Sequence, residues 1–247
     1  MDLSGKVIVV TGGAQGIGLA IAQRCAASGA HVAIWDLRED AVTAAIDTVR
    51  SDAPQAKVAG FTVNVADMDA VREAAAGTLG AFGRIDGLVN NAGIVADAQL
   101  TKMSEEQWDR VIDVNLKGVF NCTRTTVDAL IASAGAIVNI SSIVGLSGNF
   151  GQTNYAAAKA GVLGMTRTWS RELGRKGVRC NAVCPGFIST AIIKDVPQHV
   201  MDEMVQKVPQ KRLGKPGEIA SAVVFLLSDE ASYVNGATLE VTGGLTI

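Results

Sequence analysis

Short apolar runs rich in Val and Ile begin near residues 6, 31, 57, 85, 136, 178 and 238. Each has the length of a buried strand, and the longer Ala-rich stretches between them have the length and spacing of helices. Strands alternating with helices predict a parallel sheet covered on both faces, with right-handed crossovers. The whole chain, residues 1–247, therefore reads as one α/β domain: a doubly wound, seven-stranded parallel sheet without linker, repeat or low-complexity segment. The rhythm breaks once, at about 189–215, after Pro185-Gly-Phe187. There Ile192, Ile193, Val196, Met201, Met204 and Val205 can share one apolar face, which suits a surface helix as well as a moving segment.

Composition narrows the class. Of 247 residues, 48% are hydrophobic and 19% charged, as in a well-buried globule. A net charge of −2 without a Lys/Arg cluster argues against nucleic acid or an anionic membrane as partner. No apolar run reaches the ~18 residues of a membrane span, and no basic segment precedes an apolar stretch at the N-terminus. Cys25, Cys122, Cys180 and Cys184, with His31 and His199, form no metal-ligand pattern. No metal is expected, and the cysteines read as reduced core thiols of a cytoplasmic protein.

Two constellations carry chemistry. Lys6 to Thr11 is an apolar strand followed by Gly12-Gly-Ala-Gln-Gly16-Ile-Gly18 and then a helical run closed by Gly29. A glycine-rich turn between strand and helix lets backbone amides approach a pyrophosphate at the positive helix end. A second strand, His31 to Trp35, ends at Asp36, whose carboxylate can accept from a ribose diol. Farther on, Tyr155 and Lys159 stand four residues apart, on one face of a helix and about 6 Å along its axis. A phenol works as acid or base near neutrality only if a neighbouring cation favours its phenolate, and Lys159 is placed to supply one. A hydroxyl from the Ser141-Ser142 pair can hold a carbonyl against that phenol. Taken alone, the spacing is better explained by a packed Tyr155 and a solvated Lys159; the accompanying motifs reverse that.

Together with Asn90-Asn-Ala-Gly93, Asn115 and Pro185-Gly186, these motifs resemble the classical short-chain dehydrogenase/reductase family over nearly the whole chain. The resemblance implies a single-domain Rossmann fold whose catalytic residues are Asn115, Ser142, Tyr155 and Lys159, with Ser142 chosen over Ser141 because it lies thirteen residues before the tyrosine. It implies that Asn115 kinks a helix so that its carbonyl binds a water leading from Lys159 to solvent. It places the cofactor on Gly12, Gln15, Gly16, Ile17, Gly18, Asp36, Asn64, Val65, Asn91, Ala92, Gly93, Tyr155, Lys159, Pro185, Gly186, Ile188 and Thr190, with Thr190 on the nicotinamide carboxamide. Substrate would meet Ser142, Phe150, Gln152, Tyr155 and Phe187 under a lid at about 189–215. Ile143, Val144 and Ile192 would add to an apolar lining without a fixed cation for a free carboxylate.

Asp36 would repel a 2′-phosphate, and neither Gln15 nor Leu37 is basic, so NAD(H) is favoured; Arg38 keeps NADP(H) open. Asn64 stands where the family usually has Asp against adenine. The segments 148–161, 208–218 and 235–244 look like the 3-oxoacyl-carrier-protein reductase branch, which makes reduction of a 3-oxoacyl thioester, on carrier protein or coenzyme A, the leading expectation. The stretch Asp128 to Gly135 lacks the basic residues that such reductases present near the active-site mouth, with Lys176 as one lone surface cation. A small ketone or secondary alcohol is therefore a rival substrate, and a non-catalytic dinucleotide-binding protein a remote one. By analogy the chain would form a homotetramer, with the apolar C-terminal strand, 239–247, as one interface element.

Overall fold

The computed structural model describes residues 1–190 and 198–245. Seven parallel strands, β1 (Val7–Thr11), β2 (His31–Asp36), β3 (Val58–Thr62), β4 (Gly87–Asn90), β5 (Ala136–Ile140), β6 (Arg179–Pro185) and β7 (Thr238–Val241), form one sheet in the order β3-β2-β1-β4-β5-β6-β7. Every strand starts within two residues of its expected position. The buried runs of β1, β4 and β5 explain this: strands covered on both faces are apolar throughout, so they stand out against any helix. Strand order reverses between β1 and β4, and the crevice at the carboxyl ends of these two strands is where an open α/β sheet holds ligands. This is the Rossmann arrangement.

Helices α1 (Gly16–Ala27), α2 (Glu39–Asp52) and α9 (Pro216–Leu227) cover one face; α3 (Met68–Phe82), α5 (Gly118–Ala132) and α7 (Thr153–Gly174) cover the other. Each face has its own core, the first around Ile8, Ile21, Ile34 and Ile219, the second around Trp35, Leu88, Ile137 and Leu130. Local chemistry sets the helix ends. Asp67 caps α3 by accepting from the amides of Asp69 and Ala70, and Gly83 ends it at φ 78°. Ser104 and Gln107 form a capping box at the start of α4 (Glu105–Ile112). Between α4 and α5 the helix widens into a π turn, Asp113–Lys117. Short α6 (Val144–Ser147) follows β5, and α8 (Gln198–Lys207) follows β6. The expected lid segment therefore contains a helix, but Ile192, Ile193 and Val196 lie outside the described residues.

A polar chain crosses the second core. Asn90 donates to Thr123 Oγ1 (3.0 Å) and to Asn139 Oδ1 (2.8 Å), and Asn139 donates to Thr166 Oγ1 (2.9 Å). It ties β4 and β5 to α5 and α7, fixing the strand ends from which the site is built. Asn90 thus helps hold the sheet to α5. Replacing Asn139 by Ala would leave buried donors and acceptors unpaired, and urea unfolding should show a loss of about 1–3 kcal/mol; an unchanged midpoint would show that the chain does not brace the sheet.

Candidate active site

The glycine-rich turn is shaped by close approaches. A Cβ on Gly18 would lie 2.0 Å from the Gly12 carbonyl oxygen, so no other residue lets α1 start so near β1. Gly12 (φ 60°) rests against Ala92, and its neighbour Asn91 donates through Nδ2 to the carbonyls of Thr11 (2.9 Å) and Gly12 (3.1 Å). Thr11 Oγ1 accepts from the amides of both Asn91 and Ala92 at 3.0 Å. Gly16 (φ 56°) faces open space, with only Thr190 opposite at 3.8 Å. Gln15 is the exposed N-cap of α1 and makes no side-chain cap, which leaves the first amides of the helix for an anion. Half-buried Ile17 and the Gly16–Gly18 turn border the same crevice.

Asp36, at the end of β2, is hydrogen-bonded to the turn itself. Its Oδ2 accepts from Ala14 N (3.0 Å) and its Oδ1 from Leu37 N (2.8 Å), so it clasps the turn into place. Asn64 is exposed after β3, with Oδ1 on the Ala66 amide (3.1 Å), and Val65 is buried beside Gly118. Pro185 ends β6, Gly186 donates to Val241 O (3.1 Å), and Ile188 is buried where the chain bridges to Gly214. The uncapped helix end and the room above Gly16, where the Thr190 side chain comes no nearer than 3.8 Å to the position of a Cβ, fit a dinucleotide pyrophosphate.

The catalytic candidates converge at the end of β5. Three consecutive residues grip α7. Ile140 O accepts from Lys159 Nζ (2.8 Å), Ser141 Oγ donates to Lys159 O (2.8 Å), and the Ser142 hydroxyl bonds the Tyr155 phenol. Ser142 Oγ also accepts from Val144 N (3.1 Å). The two serines therefore point apart: Ser141 meets the α7 backbone and Ser142 the Tyr155 phenol. Lys159 is 3% exposed, with Nζ 5.6 Å from the centre of the Tyr155 ring. Asn115, fully buried in the π turn, accepts from Ile94 N and donates to Ile94 O, both at 2.8 Å. Gly93 packs against Asn115 Oδ1 and Lys159 Nζ. A π turn leaves a carbonyl without its regular helical donor, which suits the expected relay at Asn115.

Electrostatics depart from expectation in one respect. Burial raises the Tyr155 pKa above the ordinary value, and the Ser142 bond opposes that only in part; the Asp97 charge and Cys184 push it further up. Lys159 was expected to draw the phenol down, but burial weakens its own charge, lowering its pKa to about 8. Tyr155 thus starts as a protonated acid.

Around the reacting groups, Phe187 packs with Tyr155, Ile143, Val144, Val208 and Leu245 into an apolar wall. Phe150 is 83% exposed. Gln152 is held at both ends, donating to the Asp97 carboxylate (3.0 and 3.1 Å) and accepting from Asn149 (2.9 Å). The stretch 128–135 precedes β5, and Lys176 precedes β6; both lie at the amino edge of the sheet, whereas Ser142 follows the carboxyl end of β5. Their charge therefore says nothing about the mouth of this chain's own site. Thr11, Ile94, Asp97 and Asn154 were not singled out as site residues. Only Thr11 had a signal, as the first residue of the glycine motif.

The fold and site together define a dinucleotide-dependent oxidoreductase. A family model described as enoyl-(acyl carrier protein) reductase matches residues 12–246. The chain is 46% identical to the 3-oxoacyl-(acyl-carrier-protein) reductase FabG of Thermotoga maritima, over 100% of both chains. It is 46% identical to the (3R)-3-hydroxyacyl-CoA dehydrogenase of Canis lupus familiaris, covering 99% of this chain and 98% of that one. The crystal structure of levodione reductase superposes with a TM-score of 0.94 at 37% identity, covering 98% and 97% of the two chains. The chain belongs to the short-chain dehydrogenase/reductase family.

The Lys159 ammonium is lost as pH rises through about 8, so steps that need its charge fail on the alkaline side. For carbonyl reduction, kcat/KM for the dinucleotide should fall with an apparent pKa near 8, because this ratio reports the free enzyme. A profile that stays flat through and well beyond that pH would show that the charge is not used.

Proposed function

We propose that this chain reduces a 3-oxoacyl thioester to the 3-hydroxyacyl thioester, with NADH preferred over NADPH. The observation that carries the reaction class is the single cluster of Ser142, Tyr155 and Lys159 beside a crevice fitted to a dinucleotide. The thioester follows from relatives that span the full chain and are named for 3-oxoacyl-carrier-protein and 3-hydroxyacyl-CoA chemistry. A nicotinamide dinucleotide held along Gly12, Gly16, Gly18, Asp36 and Asn91 to Gly93 supplies the hydride that reaches the carbonyl carbon. Ser142 orients the carbonyl oxygen and stabilises the charge that develops there. Tyr155 gives that oxygen its proton, as its raised pKa suits, and is left as phenolate. Lys159 stabilises the phenolate, and the Asn115 turn passes a solvent proton back. General acid catalysis of this kind contributes roughly 10²–10⁴ in rate. Phe187 and its apolar neighbours receive the acyl end.

NADH preference rests on Asp36, whose carboxylate sits at the end of β2 without a nearby basic replacement at Gln15 or Leu37. The single domain, the lid over 189–215 with its helix α8, a cytoplasmic location and a homotetramer complete the reading. Trp108 and Phe120, exposed on α4 and α5, are candidates for a subunit contact. Among the described residues no helix is long and apolar enough to cross a membrane. Reduction of a small ketone is the second reading, favoured by the close likeness to levodione reductase.

Initial rates with acetoacetyl-CoA and a set of small ketones separate the two. Turnover of the thioester by the wild-type chain, reduced at least about 10²-fold in Tyr155→Phe, is the expected result; turnover of ketones alone would overturn the substrate, and an unimpaired Tyr155→Phe the mechanism. Asp36→Ala should lower the ratio of NADH to NADPH efficiency at least about tenfold by removing the charge opposed to a 2′-phosphate. It should also raise KM for NADH, since the clasp on Ala14 goes with it; an unchanged ratio would show that Asp36 does not select the cofactor.

A further inference from the structure

We propose that Asn154 is a positioning residue for the reaction, holding Tyr155 at its working place by tying the first turn of α7 to the strap at residues 94–98 and to α4. Asn154 is fully buried, immediately before the catalytic tyrosine. Its amide uses both hydrogens, donating to Ala96 O and to Gln107 O, each at 3.0 Å. Its Oδ1 accepts from the backbone amide of Tyr155 itself (2.8 Å). That amide is one of the first-turn donors with no partner inside the helix, so Asn154 supplies the cap from within the turn. A side chain that donates twice and accepts once, at full burial, has one orientation.

The strap explains why this matters beyond local order. Ile94 is clamped by Asn115, Ala96 by Asn154, Asp97 by Gln152, and the Ala98 amide donates to Gly151 O (2.9 Å). One short segment therefore sets the spacing between the Asn115 turn and the start of α7. Lys159, one helical turn beyond Tyr155, is gripped separately by Ile140 and Ser141. Without Asn154, the tyrosine end of α7 loses its buried tether and keeps the exposed Gln152–Asp97 link and the Ala98–Gly151 link, while the lysine end keeps its own grip. The phenol then leaves the Ser142 hydroxyl, and a displacement of about 1 Å at reacting groups can cost 10²-fold in rate.

The charged and titratable groups that face Tyr155 are Lys159 on the same helix, Asp97 on the strap and Cys184 on β6. Losing the Ser142 bond removes the contact that lowers the phenol pKa and keeps Asp97 and Cys184, which raise it. In the alcohol-oxidation direction, where the phenolate is the base, the rise of rate with pH must then move to higher pH.

The inference rests on Tyr155 as proton donor but not on which carbonyl compound is reduced, so both acetoacetyl-CoA and a small ketone are used as probes. The variants are Asn154→Ala and Asn154→Asp. The second keeps the size and the acceptor for the Tyr155 amide and loses both donors, so it decides the matter if the first does not fold. Expected is a fall in kcat of about 10²-fold with KM for NADH within about twofold of wild type, and an alkaline shift of the oxidation profile. An unchanged kcat overturns the proposal. So does a loss of kcat matched by equal loss of NADH affinity, which would mean general loosening. Absence of thioester turnover in the wild type would refute the substrate alone, leaving the ketone rates to judge Asn154.

Discussion

A single ammonium group taken out of water organises this molecule. Lys159 is buried under α7, and its pKa is lowered to about 8 by the loss of hydration. The cost is of order 3 kcal/mol at neutral pH, from the size of that shift. Such a group persists only where its donors are satisfied and its position is over-determined. Ile140 O accepts a hydrogen bond from the ammonium, Ser141 fixes the backbone of the same residue, and Gly145 lies so close that a Cβ would come within 2.8 Å of the Lys159 carbonyl carbon. Burying the lysine thus requires β5, the turn after it and α7 to meet in one arrangement. That arrangement also brings Ser142 to Tyr155.

The sheet makes the meeting possible. Five-residue β5 pairs with β4 on one side and β6 on the other, and the buried Asn90–Asn139–Thr166 chain locks those pairings to α5 and α7. The carboxyl ends of β1 and β4 carry the glycine turn and the Asn91-Ala92-Gly93 segment, held together through Thr11. Dinucleotide crevice and proton donor therefore share β4: its exit strand leads from Asn91 to Ile94 and then to the strap that meets α7. The burial that raises the Tyr155 pKa also lowers that of Lys159, to about 8, an arrangement suited to reduction.

Much of this was legible in the chain. Strands buried on both faces announce themselves as apolar runs, and the glycine turn has a spacing that physical crowding dictates: Gly18 has no room for a side chain. Tyr155 and Lys159 share a face because helices repeat every 3.6 residues. Other features had no local signal. Nothing around Asn115 marks a π turn, and the partner that holds its side chain there, Ile94, is distant in sequence. Ser141 and Ser142 differ because one meets the α7 backbone and the other the Tyr155 phenol, partners distant in sequence. The direction of the Tyr155 shift has no local signal, because spacing shows that a lysine is near but not that it is dehydrated. The stretch 128–135 was weighed for charge at the site mouth, yet strand polarity sends it to the opposite edge of the sheet.

The chain has two tyrosines, and Tyr233 is fully exposed. In a Tyr233→Phe protein, the near-ultraviolet absorbance of phenolate reports Tyr155 alone. Titrating the cofactor-free protein asks directly whether burial outweighs Lys159 at the reacting phenol. A midpoint above the ordinary tyrosine value of 10.0 is the predicted result. A midpoint below it would contradict the account, showing that the Lys159 charge outweighs burial at this phenol.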